Sequence, residues 1–226
     1  NDFRNNRKQA IQLRQVMVDL EPSKFVSEFD GNQENYNVFN AKYVNTKTEL
    51  TEHLNFVTDF QLASKFGKTS IELEYRKLFN NNRTINLRLF AGTFLFNKTD
   101  SDFFSFGLDR ASDYLFDHNY YGRSEKTGFF SQQLILAEGA FKSKLGTPFA
   151  NQWMITTNGG FNIWNWVEVY GDLGFVKNSA IKEKWVYDSG IRLNLMPDYF
   201  EFYFPVYSNN GWEITQTQYS EKIRIV

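Results

Sequence analysis

Few residues in this sequence have the type and spacing of a catalytic or metal-binding group. The chain holds two histidines, His53 and His118, and no cysteine. His53 lies in Glu52-His53-Leu54-Asn55, which lacks the second histidine of a His-Glu-x-x-His zinc helix. Without cysteine, thiolate metal sites and disulfides are impossible. We therefore expect no catalytic, metal or cofactor-binding residue within this chain.

The carboxylates Glu72 and Glu74 come closest to an acid–base pair. Their spacing of two places both on one face of a strand, but no nucleophile with an orienting partner is apparent beside them. Gly159-Gly160 lacks the spacing and the following helix of a phosphate-binding loop. These residues favour a polar strand face over an active site.

Composition limits the fold and the partners. The 226 residues suffice for one all-β domain, so we take residues 1–226 as a single domain. With 24 Phe, 12 Tyr and a hydrophobic content of 42%, the chain is too rich in apolar side chains for a disordered protein. The net charge of −1 gives no electrostatic reason to expect nucleic acid as a partner. Because no apolar run approaches the roughly 20 residues of a membrane-spanning helix, any membrane crossing would use strands.

Apolar and polar residues alternate with period two through most of the chain, as they do in strands whose faces meet different surroundings. The asparagines of Phe79–Arg83 predict a hairpin turn, and hence antiparallel neighbours. We predict about twelve strands of roughly ten residues, the length of a tilted transmembrane strand. The predicted strands after the long loop are Gln132–Phe141, Trp153–Ile163, Val167–Val176, Trp185–Leu195 and Phe200–Val206.

The polar strand faces distinguish a membrane barrel from a soluble sandwich. Several charges fall opposite the apolar face, as expected for a hydrated barrel interior: Glu72, Glu74, Arg76, Arg88 and Arg192. Aromatic residues lie near strand ends, where interfacial girdles belong: Trp153, Trp164, Trp166, Trp185, Tyr187 and Tyr199. The fold class that we predict is all-β, an antiparallel transmembrane β-barrel forming part of a larger barrel. A soluble β protein with core aromatics is the alternative.

Period-two alternation is lost between Phe103 and Phe130, where we predict one long ordered loop over residues 107–128. This loop concentrates charged and aromatic residues: Arg110, Asp113, Asp117, Tyr121, Arg123 and Glu125. They could form an ion-pair network that pins the loop inside the barrel lumen, where paired charges are strengthened. They could equally belong to a solvated extracellular loop. The sequence leaves both open.

Arg76–Thr93 and Phe103–Phe141 carry a resemblance that extends over nearly the whole chain. The sequence resembles the C-terminal region of membrane-associated gluzincin metallopeptidases of Bacteroidota, similar to aminopeptidase N in their catalytic part. The resemblance implies an outer-membrane barrel attached to a zinc peptidase whose zinc-binding and catalytic residues lie upstream of Asn1. A weaker resemblance is to surface-antigen barrels of outer-membrane insertases. Those barrels have an Arg-Gly-Phe pattern in their long loop, whereas this sequence has Tyr121-Gly122-Arg123.

The expected function is therefore an outer-membrane β-barrel that anchors or scaffolds a zinc metallopeptidase. The chain begins and ends in mid-pattern, so we expect a fragment of a longer protein. Expected partners are outer-membrane lipid and other envelope proteins, in the bacterial outer membrane. Two alternatives stay open: a transport or assembly barrel gated by the long loop, and a soluble β-sandwich that binds glycan through exposed aromatics.

Overall fold

The computed structural model describes residues 6–20, 34–99, 102–110, 112–118, 129–179, 181–196 and 200–226. These residues form an all-β structure with short 3-10 turns, which confirms the predicted fold class at this level. The strands are β1 Arg7–Leu20, β2 Glu34–Thr48, β3 Glu52–Leu62, β4 Phe66–Leu78, β5 Thr84–Asn97, β6 Phe106–Gly107, β7 Phe149–Ala150, β8 Trp153–Asn162, β9 Val167–Lys177, β10 Lys184–Met196, β11 Phe200–Ser208, β12 Gly211–Trp212 and β13 Arg224–Ile225. In the described part of the chain, no helix is long and apolar enough to cross a membrane.

Eleven strands form one antiparallel sheet in the order β1-β2-β3-β4-β5-β8-β9-β10-β11-β12, with β13 also paired to β11. β6 and β7 form a separate two-stranded sheet. The predicted asparagine hairpin joins β4 to β5, and Asn82 adopts the left-handed backbone (φ 57°) that this turn requires. Among the described residues no pairing joins β1 to β11, so the sheet has two edges.

The predicted strand Gln132–Phe141 is wrong. A 3-10 turn occupies Phe129–Gln132, and Glu138 and Ala140 have positive φ angles of 52° and 55°, which interrupt any strand. Residues 102–110, 112–118 and 129–150 instead fold against the polar face of the large sheet. We call residues 102–150 the docked segment; its described parts are 102–110, 112–118 and 129–150.

The two faces of the large sheet differ in chemistry, as β9 illustrates. Glu168 and Asp172 on β9 are buried, whereas the residue that follows each of them, Val169 and Leu173, is exposed. The same alternation leaves an exposed apolar face on neighbouring strands, with Leu54, Ile71, Leu87, Leu89, Ile155, Phe161, Ile191 and Leu195. The polar face is covered by the docked segment.

The core lies between the polar face and the docked segment. Phe66 of β4 stacks on Phe104 of the docked segment, with ring centroids 4.5 Å apart. Phe90 of β5 contacts Phe106 edge-on at 5.8 Å. All four rings are buried, because apolar side chains at one end of the polar face meet apolar side chains of the docked segment.

Candidate functional site

Arg88 on β5 is a central contact between the sheet and the docked segment. Its guanidinium donates to the Glu72 carboxylate at 2.6 Å and to the Asn158 side-chain oxygen at 3.0 Å. It also donates to the backbone carbonyl of Glu138 in the docked segment at 2.6 Å. Glu74 lies 3.9 Å from the Arg88 Nε. Arg88 is buried, and its ion pair with Glu72 is therefore little screened by solvent.

Two aspartates on neighbouring strands hold the middle of the docked segment. The Lys142 ammonium donates to both carboxylate oxygens of Asp172, each at 2.8 Å. Asp188, the cross-strand neighbour of Asp172, accepts the backbone N–H groups of Lys142 at 2.7 Å and Ser143 at 2.6 Å. All four residues are buried. The sheet thus binds both the side chain and the backbone of the segment.

Lys68 lies among aromatic rings near the start of β4, two residues after Phe66. Its ammonium donates to the Phe104 carbonyl at 3.0 Å and lies 4.6 Å from the Phe106 ring centroid and 5.1 Å from that of Tyr114. The Glu138 carboxylate is 3.8 Å away. Lys68 is only 2% exposed, so these cation–π and ionic contacts replace its hydration.

Arg224 on β13 clamps three separate parts of the docked segment. Its guanidinium donates to the backbone carbonyls of Lys142 at 3.1 Å, Ser131 at 3.3 Å and Asp109 at 3.5 Å. Arg224 is buried, and its carbonyl partners span much of the described docked segment. β13 therefore covers the edge of β11 and also fixes the segment.

A second ion-pair cluster joins β9, β10 and β11. Arg192 pairs with Glu168 at 2.5 Å and with Glu201 at 3.4 Å. The Tyr203 hydroxyl donates to Glu201 at 2.7 Å and accepts from Arg192 at 3.2 Å. Arg76 and Arg192 line a cavity of about 90 Å³ beside this cluster, large enough for roughly three waters.

Asp117 connects the docked segment to the edge strand β1. Both of its carboxylate oxygens accept hydrogen bonds from Arg14, at 2.5 and 2.6 Å. Arg14 also donates to Asn40, which in turn donates to Asp59, each at 2.8 Å. Burial raises the pKa of Asp117, but the hydrogen bonds and charge of Arg14 outweigh it and hold that pKa below the usual value.

Acidification is expected to release residues 112–118 from β1. A carboxylate whose folded-state pKa is depressed contributes stability above its unfolded pKa of about 3.9, and that stability is lost as the pH falls through the folded value. A nitroxide on Phe116→Cys, an exposed position in a chain without native cysteine, should therefore be immobile at pH 6 and gain mobility below about pH 4.

Asp117→Asn serves as the control for this transition. The spin label should be mobile at both pH values in that variant, because the amide cannot form the ion pair. A transition that persists unchanged in Asp117→Asn would assign the effect to another carboxyl group and contradict the expectation.

The larger cavity, about 190 Å³, lies between β2–β5 and the docked segment. Lys68, Glu138, Tyr114 and His118 are among the residues that line it. Burial, followed by the charges of Glu138 and Asp59, raises the pKa of Tyr114 well above its usual value, so its hydroxyl stays a donor and binds the Gln61 side chain. Within the described ranges, no group of three His, Asp or Glu could hold a metal ion.

The structure brings together some of the sequence-predicted residues. Glu72, Glu74 and Arg88 lie in one cluster, and Arg76 borders the same cavity as Glu74 and Arg88. Arg192 forms its own cluster with Glu168 and Glu201. The charges predicted to face one polar surface are thus divided between two groups, each tied by short ion pairs.

Arg110 and Asp117, two of the predicted loop residues that the structure describes, form ion pairs with residues outside the predicted set. Arg110 pairs with its neighbour Asp109 at 3.0 Å and lies over the Phe149 ring, whereas Asp117 pairs with Arg14 of β1. Asp113 accepts the backbone N–H of Asp117 at 2.8 Å. The remaining predicted residues, Tyr121, Arg123 and Glu125, lie outside the described residues, as does Tyr199 of the predicted aromatic girdle.

Sequence reasoning missed three residues that hold the docked segment, Lys142, Asp188 and Arg224, because no motif surrounds them. It placed Asp172 among the charges of a hydrated barrel interior, without a partner. Asp172 and Asp188 do share a signal: each is a charged residue near the middle of a strand rich in apolar and aromatic residues, which marks a position needing a buried partner.

Comparison of the chain with protein-family models, with curated proteins and with solved structures gives no match.

Proposed function

We propose that this chain is part of the wall of an outer-membrane β-barrel, with the docked segment filling the interior. The observation that carries the proposal is the inverted chemistry of the sheet: the exposed face is apolar, and the buried face holds paired charges such as Arg88–Glu72 and Lys142–Asp172. In a soluble sandwich the apolar faces pack together. In a membrane barrel the apolar face meets lipid and the polar face lines the interior.

The dimensions of the apolar face support the same proposal. On β9 the outward positions Val167, Val169, Gly171, Leu173 and Phe175 carry no charge. On β10 the stretch from Trp185 to Asn194 spans nine residue steps. The Asn194 N–H donates to the Trp166 carbonyl at 2.8 Å, so this stretch extends from Trp185 at one end of the sheet to Trp166 at the other. At about 3.3 Å per residue this is ~30 Å, the reach of a tilted strand across a hydrocarbon core.

Exposed tryptophans at both ends of the strands fit interfacial anchoring. Trp164 and Trp166, in the turn between β8 and β9, are 72% and 67% exposed, and Trp185 at the opposite end is 57% exposed. Amphipathic rings of this kind lie at headgroup depth in membrane barrels. Outer-membrane lipid is accordingly the partner we propose for this face.

On the sequence resemblance we further propose that the barrel anchors or scaffolds a zinc metallopeptidase part, alongside other envelope proteins. The chain's own role in that arrangement is structural: it supplies the apolar surface that holds the assembly in the bilayer. Any zinc chemistry would belong to residues other than these.

A transport or assembly barrel plugged by the docked segment is the second candidate. It is favoured by the number of contacts that hold the segment on the polar face, from Arg88, Lys68, Asp188 and Arg224. A segment that only needed to remain soluble would not require buried ion pairs. In this candidate the segment closes a polar passage.

Heat-dependent gel mobility tests the membrane wall. The chain should require detergent for extraction and should migrate differently before and after boiling, because a folded barrel resists dodecyl sulfate until heated. A chain that is soluble without detergent and indifferent to boiling would contradict the proposal and favour the soluble glycan-binding module.

A further inference from the structure

One end of the apolar face carries a surface that a plain lipid-facing wall does not require. Two exposed lysines there adjoin aromatic rings that contact one another. We call this surface the rim patch; it consists of Lys182, Lys184, Trp185, Tyr187, Tyr207 and Trp212. It lies where β10 begins and β11 ends.

The aromatic part of the rim patch is preformed. The Tyr187 and Tyr207 rings stack with centroids 5.8 Å apart and an interplanar angle of 28°, and Tyr207 lies 5.2 Å from Trp212. Asn209 fixes the intervening turn on β10, accepting the Tyr187 N–H at 2.7 Å and donating to the Trp185 carbonyl at 3.2 Å. The rings are thus held in place while Trp185 and Trp212 stay more than half exposed.

The charge of the rim patch comes from Lys182 and Lys184. Their neighbours Lys177 and Glu183 pair with each other at 3.0 Å and so neutralise one another. Lys184 is positioned by a hydrogen bond from its ammonium to the Thr147 hydroxyl at 3.2 Å. Both lysines are exposed next to Trp185, at the depth where the apolar face ends.

Two lysines at the opposite end of the sheet are paired with carboxylates: Lys47 with Glu49 at 2.5 Å, and Lys77 with Glu52 at 2.8 Å. Arg83 at that end donates to the Asn162 carbonyl at 3.4 Å, near the exposed Trp164. The paired Lys47 and Lys77 therefore offer a comparison for the two lysines of the rim patch.

We propose that the rim patch binds the phosphorylated sugar headgroup of a glycolipid in the membrane leaflet at that end, an inference that rests on the proposed membrane wall. The exposed aromatic faces suit the C–H surfaces of a sugar ring, since the face of an aromatic ring is its negative region. The ammonium groups suit phosphate, which lysine binds as a point charge. The acyl chains would lie against Leu173 and Ile191, which continue the apolar face below the patch.

Binding of bis-phosphorylated lipid A to the detergent-purified protein tests this assignment, after heat-dependent mobility has shown that the sample is folded. Lys182→Gln/Lys184→Gln should bind about ten- to thirtyfold more weakly, as expected for two ammonium groups removed from an anionic surface. Trp212→Leu, which keeps apolar area but removes the ring face, should also weaken binding. The matched control is Lys47→Gln/Lys77→Gln at the opposite end, which should bind as the wild type does.

Three comparisons decide the ligand class. The wild type should bind dephosphorylated lipid A weakly. Its affinity should match that of the Lys182→Gln/Lys184→Gln variant for bis-phosphorylated lipid A. Equal affinity for phosphatidylglycerol would overturn the sugar assignment, and equal affinity for soluble glucosamine phosphate would overturn the lipid assignment. A folded, heat-modifiable protein that binds none of them overturns the rim-patch proposal alone, whereas loss of heat modifiability in the wild type overturns the membrane wall itself.

Discussion

Replacing Gly107 with alanine is expected to release the docked segment from the sheet. A Cβ at this position would lie 1.7 Å from the Arg110 carbonyl oxygen, far inside van der Waals contact, so the turn at residues 107–110 must open. Gly107 also donates its N–H to Glu138 at 2.5 Å, and its carbonyl accepts the Gly139 N–H at 2.9 Å. Because these bonds join two distant parts of the segment, opening the turn is expected to cost about 3 kcal/mol.

Gly146→Ala is the matched control for Gly107→Ala, since an added Cβ there meets nothing within 4 Å. Limited proteolysis should cut the docked segment much faster in Gly107→Ala than in Gly146→Ala, while both variants keep heat-dependent mobility. In planar bilayers, larger open-channel currents from Gly107→Ala would support the plugged passage. Equal proteolysis of the two variants would contradict the expectation.

Replacing Lys142 with methionine is expected to destabilise the fold by about 3–5 kcal/mol, the range for removing one partner of a buried ion pair. Asp172 would lose two 2.8 Å hydrogen bonds and keep the single 3.0 Å bond from Asn158. Its carboxylate would then be buried without a compensating charge. Urea unfolding of the refolded protein in detergent, followed by tryptophan fluorescence, measures the loss.

Two further variants make the Lys142 measurement specific. Lys142→Met/Asp172→Asn should recover much of the stability, because no unpaired charge stays buried. Lys177→Met, which removes the exposed pair with Glu183, should leave the free energy of unfolding close to that of the wild type, because solvent screens such a pair. If the single and double variants at 142 and 172 lost the same stability, the ion pair would not be the cause.

Period-two alternation predicted most strands of the large sheet because each of those strands lies between two different environments. β9 shows the relation directly, with Glu168, Tyr170 and Asp172 buried and Val169 and Leu173 exposed. The antiparallel order followed from turn chemistry, as in the asparagine hairpin between β4 and β5. Pro205, which cannot donate a ladder hydrogen bond, pairs with Gly190 at a register shift between β10 and β11.

The docked segment could not be predicted in the same way, because its conformation depends on distant partners. Residues 132–141 contain Leu134 and Leu136 at strand-like spacing, yet they pack against a sheet that is complete without them. Asp117 binds Arg14 across 103 positions of sequence, and no local spacing reveals such a pair. Charge density identified the segment as important, and alternation placed Arg88 on the polar face. Neither pattern revealed Lys68 or Asp188 as further strand residues that hold the segment.

The clamp formed by Arg224 has a consequence for the order of folding. Its hydrogen bond to the Asp109 carbonyl closes 115 positions of sequence, and its bond to Lys142 closes 82. Contacts of such separation form late, because closing a long loop costs conformational entropy before the contact can stabilise the fold. Strands β1–β5 pair through neighbouring hairpins and can assemble earlier. Lys68 and Arg88 bind the segment across only 36 and 50 positions, so we expect the segment to meet the polar face first and β13 to fix it last.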